Sequence, residues 1–175
     1  MIAPVPELWT KRFRLRSLLE RDVDALWPSF SDDKAMLYWS RGAFASQAEL
    51  RDWLFDTDWP GQTWIAEPAE GGPALCRVVA DTNSDQLCEI GYLTVLGCER
   101  QGIARECVTG LIDHLFGSGE VRKIIADIDP RNDASNHLIK SLGFTQEAHL
   151  RDAMKTHIGW CDSLIWGLLA REWTG

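Results

Sequence analysis

Several features are missing from this chain, and each absence narrows what it can be. No run of about 18 apolar residues occurs, so no membrane-spanning helix is expected. The start, Met1-Ile2-Ala3-Pro4-Val5-Pro6, has neither a basic opening nor an apolar core. A signal peptide is therefore not expected, and a cytoplasmic location is. There is no Cys-x-x-Cys pair and no His-x-x-x-His helix, so no metal site is expected. The five cysteines, Cys76, Cys88, Cys98, Cys107 and Cys161, are odd in number and dispersed, which suits a reducing compartment. Positive charge is in short supply: 18 Lys and Arg stand against 26 Asp and Glu, a net charge of -8. That balance argues against a nucleic-acid backbone as partner. Repeats and low-complexity tracts are also absent, and 175 residues suffice for one domain over 1–175 with a sizeable core.

Tryptophan, by contrast, is plentiful. Nine are present, at positions 9, 27, 39, 53, 59, 64, 160, 166 and 173. They fit core filling, an acceptor cleft or a dimer seam, and composition does not choose among these.

The most informative stretch is Glu99-Arg100-Gln101-Gly102-Ile103-Ala104. Before it, Leu87 to Val95 reads as a strand. After it, Ile103, Cys107, Leu111 and Leu115 recur at every fourth position, flanked by Ala104, Val108, Ile112 and Phe116. This is the wide apolar stripe of a packed helix. A tight turn thus carries a strand into a helix, with a glycine at the helix start. Free N–H groups and the helix dipole make such a start attractive to phosphate, and Gly102 has no Cβ to keep an anion away.

Around this unit the pattern predicts further elements. A strand is expected at Phe13–Leu18, a helix at Arg21–Phe30, a helical turn at Asp32–Leu37 and a helix at Gln47–Phe55 capped by Ser46. Strands are expected at Thr63–Ala66, Leu75–Ala80, Val121–Asp127, Phe144–Leu150 and Ile158–Leu169. A fourth helix opens at Asn132-Asp133-Ala134-Ser135 and stops at Gly143. The resulting order, β-α-α-α-β-β-β-α-β-α-β-β, predicts an α/β (α+β) three-layer domain: a mixed, mostly antiparallel sheet with helices on both faces.

This order and three motif blocks resemble the GCN5-related N-acetyltransferase (GNAT) family, nearest its branch that acetylates the N-termini of ribosomal proteins. The likeness runs from about Trp9 to Trp173. The first block is Glu89-Ile90-Gly91-Tyr92 leading into Gln101-Gly102-Ile103-Ala104-Arg105. The second is Ala126-Asp127-Ile128-Asp129-Pro130-Arg131-Asn132-Asp133-Ala134-Ser135-Asn136, ending in Ser141-Leu142-Gly143-Phe144. The third is Asp162 with the tail Leu168-Leu169-Ala170-Arg171-Glu172-Trp173. Two positions depart from the family loop, which usually begins Gln or Arg and then Gly, where this chain has Glu99 and Arg100. A tyrosine that serves some relatives as general acid is matched here by Ile139.

The resemblance implies transfer of an acetyl group from acetyl-CoA to a primary amine, on a protein N-terminus or a small molecule. Backbone groups of Tyr92, Leu93 and Thr94 would meet the pantetheine arm in a slot where two strands splay. Arg100, Gln101, Gly102, Ile103, Ala104 and Arg105 would cradle the pyrophosphate. Asn132 would contact the arm or simply cap its helix, and Ser135 would orient or protonate the coenzyme sulfur. Glu89 and Asp127 are the two candidates for the base that takes the ammonium proton. The segment from Phe30 to Phe44, with Tyr38, Trp39 and Arg41, would shape the acceptor pocket. The histidines His114, His137, His149 and His157 are expected to be structural, His114 facing solvent. Two other readings stay open: a non-catalytic acyl-CoA-binding module with the same fold, and a homodimeric interaction protein.

Overall fold

In the computed structural model, which describes residues 4–175, one sheet of eight strands organises the chain. Its strands are β1 (Leu8–Trp9), β2 (Phe13–Ser17), β3 (Gln62–Pro68), β4 (Cys76–Thr82), β5 (Leu87–Thr94), β6 (Lys123–Ile128), β7 (Thr145–Thr156) and β8 (Gly159–Leu169). They lie in the order β1-β2-β3-β4-β5-β6-β8-β7. All neighbours pair antiparallel except β5 and β6, which run parallel. Helices α1 (Asp22–Phe30), α2 (Gln47–Leu54), α3 (Ile103–Gly117) and α4 (Asp133–Ser141), with a final 3-10 turn at Ala170–Glu172, complete the element order. None of the described helices is long and apolar enough to cross a membrane.

Alternation along the central strands explains the layers. In β3, Trp64 and Ala66 belong to one core cluster and Ile65 to the other, and all three are fully buried. A strand covered on both faces needs apolar residues at every position. The first cluster packs α3 through Ile103, Cys107, Val108, Leu111, Ile112 and Leu115 against Val78, Ile90, Ile124 and Leu168. The second packs α1 and α2 through Leu26, Phe30, Leu50 and Leu54 against Ile65 and Leu93. Each such side chain contributes about 1.5–3 kcal/mol of hydrophobic free energy when fully buried. A buried ionic cluster fixes α1 to the sheet: Arg16 on β2 donates to both carboxylate oxygens of Asp22, at 2.7 and 2.9 Å, and to Glu67 on β3 at 2.7 Å.

The expected elements form, with four differences. Asp32–Leu37 is a series of turns and not a helix: the Asp32 side chain accepts from Ala35 N–H, and the pattern of carbonyl partners shifts from i−4 to i−3. β1 is a two-residue strand beside a proline-rich start, too short to leave a periodic signal. β7 runs on to Thr156, well beyond Leu150, as half of a long hairpin with bulges at Gln146/Ala148 and Leu150/Met154. His114 is half-buried, its ring edge-on to Trp64 at 5.8 Å, and does not face open solvent.

Candidate active site

The site begins where two strands part. β5 pairs with β4 from Cys88 to Thr94, but with β6 only at Leu87, Cys88 and Glu89. From Ile90 to Thr94, the edge of β5 that faces β6 has no strand partner among the described residues. The slot expected at Tyr92–Thr94 is therefore present in the backbone pairing. Tyr92 reaches across it: its hydroxyl donates to the Ser135 carbonyl of α4 at 3.3 Å. Burial pushes the Tyr92 phenol up to about 12, against a smaller opposing effect of the Ser135 side chain.

Two helix starts converge on the slot. At α3 the N-cap is Gly102, in the left-handed region at φ 73°, with no side-chain cap on the first-turn N–H groups. Arg100 is also left-handed, at φ 60°, an unusual conformation for a residue with a side chain. Alternating conformations of this kind turn successive N–H groups toward one concave side, a shape suited to anions. Glu99 borders the same space, its carboxylate accepting from Gly97 N–H at 2.8 Å. At α4 the Asn132 side chain caps Ser135 N–H at 3.2 Å.

A cavity of about 440 Å³ occupies the slot. Of the residues predicted to hold the cofactor, Tyr92, Leu93, Thr94, Arg100, Gly102, Ile103, Ala104, Arg105, Asn132 and Ser135 line it. Gln101 does not: it lies on the outer side of the loop, where its carbonyl accepts from Arg12 at 3.1 Å. Ala35, Trp39, Cys98 and Leu138 join the lining from segments the sequence did not single out as cofactor contacts. Arg105 is held to the end of α4 by a 2.6 Å bond to the Ser141 hydroxyl.

A second cavity, of about 260 Å³, abuts the first. Both are lined by Trp39, Tyr92, Asn132 and Ser135. Ser135 is tied in through its backbone, its N–H to Asn132 and its carbonyl to Tyr92, and its hydroxyl lies beside the Tyr92 phenol. Glu89, Asp127 and Asp129 line the second cavity, and no Lys or Arg does. Asp129 is paired with Arg131 at 2.6 Å, whereas Glu89 and Asp127 have no ion-pair partner among the described residues. Partial burial, then the neighbouring Asp127 and Asp81 carboxylates, push the Glu89 carboxyl above its ordinary value. The predicted acceptor segment supplies Tyr38, Trp39 and Ser40. Met154 comes from the β7–β8 hairpin, and only the hairpin's unpredicted length brings it there.

Other sequence candidates lie elsewhere. Ile139 is fully buried in the core. His137 contacts the Asp133 carbonyl at 2.7 Å, His149 contacts Asp162 at 2.8 Å, and His157 packs beside Gly42. None of the histidines lines either cavity. The tryptophans divide by role: Trp64 and Trp166 are buried, Trp39 walls both cavities, and Trp9 and Trp160 are exposed.

Comparison with known proteins identifies the family and the fold. The model of the acetyltransferase (GNAT) domain matches residues 12–145. The chain is similar to an uncharacterized N-acetyltransferase, p20, of Bacillus licheniformis, at 30% identity over 96% of this chain and 98% of that one. It is similar to the ribosomal protein uS5 alanine N-acetyltransferase of Escherichia coli, at 26% identity over 50% of this chain and 45% of that one. Its fold is similar to that of the spermidine N-acetyltransferase of Vibrio cholerae, solved with CoA and spermine. There the TM-score is 0.80 at 20% identity, over 91% of this chain and 96% of that one. From the matched domain and its relatives, the chain belongs to the GNAT family and is an N-acetyltransferase.

Proposed function

We propose that the protein transfers an acetyl group from acetyl-CoA directly to a primary amine, with the donor in the larger cavity and the amine in the smaller. The observation that carries this reading is the shared wall: Trp39, Tyr92, Asn132 and Ser135 border both spaces, so groups bound in the two can meet. Acetyl-CoA supplies the activated thioester, and the chain's task is largely to position two reactants.

The residues present fit that donor. The unpaired edge of β5 offers peptide groups to an extended amide-bearing arm. Free N–H groups at Gly102 to Arg105 and the dipole of α3 suit a pyrophosphate. The Ser135 hydroxyl, at the junction of the two cavities, is the group that orients or protonates the departing sulfur. On the acceptor side, Glu89 and Asp127 attract an ammonium group and favour a cationic acceptor, either a protein N-terminus or a small amine. Glu89, its carboxyl raised, takes the proton that must leave before the nitrogen attacks. Asp127, one carbon shorter, is the alternative base. The five unpaired cysteines suit a cytoplasmic enzyme. The exposed Leu150, Ile158 and Trp160 of the hairpin suit a homodimer.

A coenzyme A release assay with a panel of amines tests the reading. Release that depends on added amine supports it. Binding of CoA without release by any amine points instead to a non-catalytic acyl-CoA-binding module.

A further inference from the structure

We infer that Arg12, on the turn between β1 and β2 and outside the cofactor cavity, is a positioning residue that aims the Gly102 amide at the pyrophosphate. The inference rests on the donor site proposed above. Arg12 lines two clefts on the far side of the loop and does not line the donor cavity. Gly102 lines both sides.

The geometry has two parts. First, Arg12 Nη1 donates to the Gln101 carbonyl at 3.1 Å. The Gln101–Gly102 peptide is trans, so its carbonyl and N–H point in opposite directions. Holding the carbonyl on the outer side turns the Gly102 N–H toward the cavity. Second, Arg12 grips Glu106 in the first turn of α3: Nε donates to one carboxylate oxygen at 2.6 Å and the backbone N–H to the other at 2.7 Å. The Thr10 hydroxyl adds a third bond at 2.7 Å. An unpaired carboxylate in that turn would occupy the positive end of the helix and compete with an incoming anion. Arg12 therefore orients one donor and neutralises one competitor, and its guanidinium packs 3.5 Å from where a Gly102 side chain would begin.

The test is calorimetric titration of CoA into the full chain and its variants Arg12→Ala, Arg12→Lys and Glu106→Gln, with steady-state kinetics on the same samples. Loss of charge-assisted bonds of this kind should weaken CoA binding about tenfold or more in Arg12→Ala. The KM for acetyl-CoA should rise to match, with kcat kept within about twofold. Arg12→Lys keeps the charge without the fork and should fall between Arg12→Ala and the native protein. Glu106→Gln keeps the shape and should lose less than Arg12→Ala. If Arg12→Ala melts earlier but keeps the native Kd and KM per folded molecule, Arg12 is only a structural tie and the inference fails. Should Arg12→Ala not fold, an unchanged Kd in Arg12→Lys overturns it equally. A native protein that binds no CoA removes the donor site and this inference with it. Native binding with unaltered variants removes this inference alone.

Discussion

Two helix starts face the same cavity, and they are finished differently. The start of α4 is closed: Asn132 occupies the Ser135 N–H, the ordinary way to satisfy an orphan donor. The start of α3 is left open, with a left-handed glycine in place of a capping side chain. Open donors beside a cavity are completed by water until a ligand displaces it. The contrast teaches that α4 serves the site through its side chains and α3 through its backbone. A side-chain substitution should therefore damage chemistry at α4, while at α3 only a change that blocks or tilts the backbone should matter.

The largest effect is expected at the closed start. Ser135→Ala removes the hydroxyl at the junction and should lower kcat about 100-fold with little change in the KM for acetyl-CoA. If kcat per folded molecule is unchanged, Ser135 belongs to the helix and not to the reaction. At the open start, Gly102→Val puts branched carbons at a left-handed position beside the approaching phosphate. CoA affinity, read by calorimetry, should fall at least about tenfold in a folded protein. Smaller again is the base. Glu89→Gln should abolish or displace the rising limb of kcat with pH and lower the rate at neutral pH. If only Asp127→Asn moves the limb, the base is Asp127. Stability gives a sign to check as well. Because the folded-state carboxyl of Glu89 is raised, its contribution is present below the ordinary carboxylate range and is lost as pH rises through the raised value. Glu89→Gln should therefore melt no lower than the native protein above that window. The smallest effect sharpens the comparison directly. Asn132→Ala should cost about 1 kcal/mol of stability in denaturant titration, whereas α3 has no side-chain cap to delete.

These differences also mark what the sequence could convey. The α3 unit was legible because a four-residue apolar spacing and one glycine are local signals. The slot's position was implied by family resemblance, but pattern alone does not give it: Leu87–Val95 and Val121–Asp127 both read as ordinary strands, and where their pairing stops is a tertiary fact. The acceptor side was the least legible. Its lining is drawn from the turns after α1, from β5, from β6 and from the far hairpin, and the signal for that hairpin fails for a physical reason. β7 is exposed along nearly its whole length, so no buried face imposes alternation on Arg151-Asp152-Ala153-Met154. Asp32–Leu37 misled in the opposite way, since Met36 is a core residue held by turns and its burial needs no helix. Arg12 carried no motif of its own. Only Glu106 and the Gln101 carbonyl, far along the chain, give it meaning.

The most direct test of the open helix start is an amide chemical-shift titration of the labelled protein with CoA. The N–H signals of Gly102, Ile103, Ala104 and Arg105 should shift most, as new bonds to phosphate form. The Ser135 N–H, already bonded to Asn132, should shift less. Unmoved signals across Gly102–Arg105 at saturating CoA would contradict it.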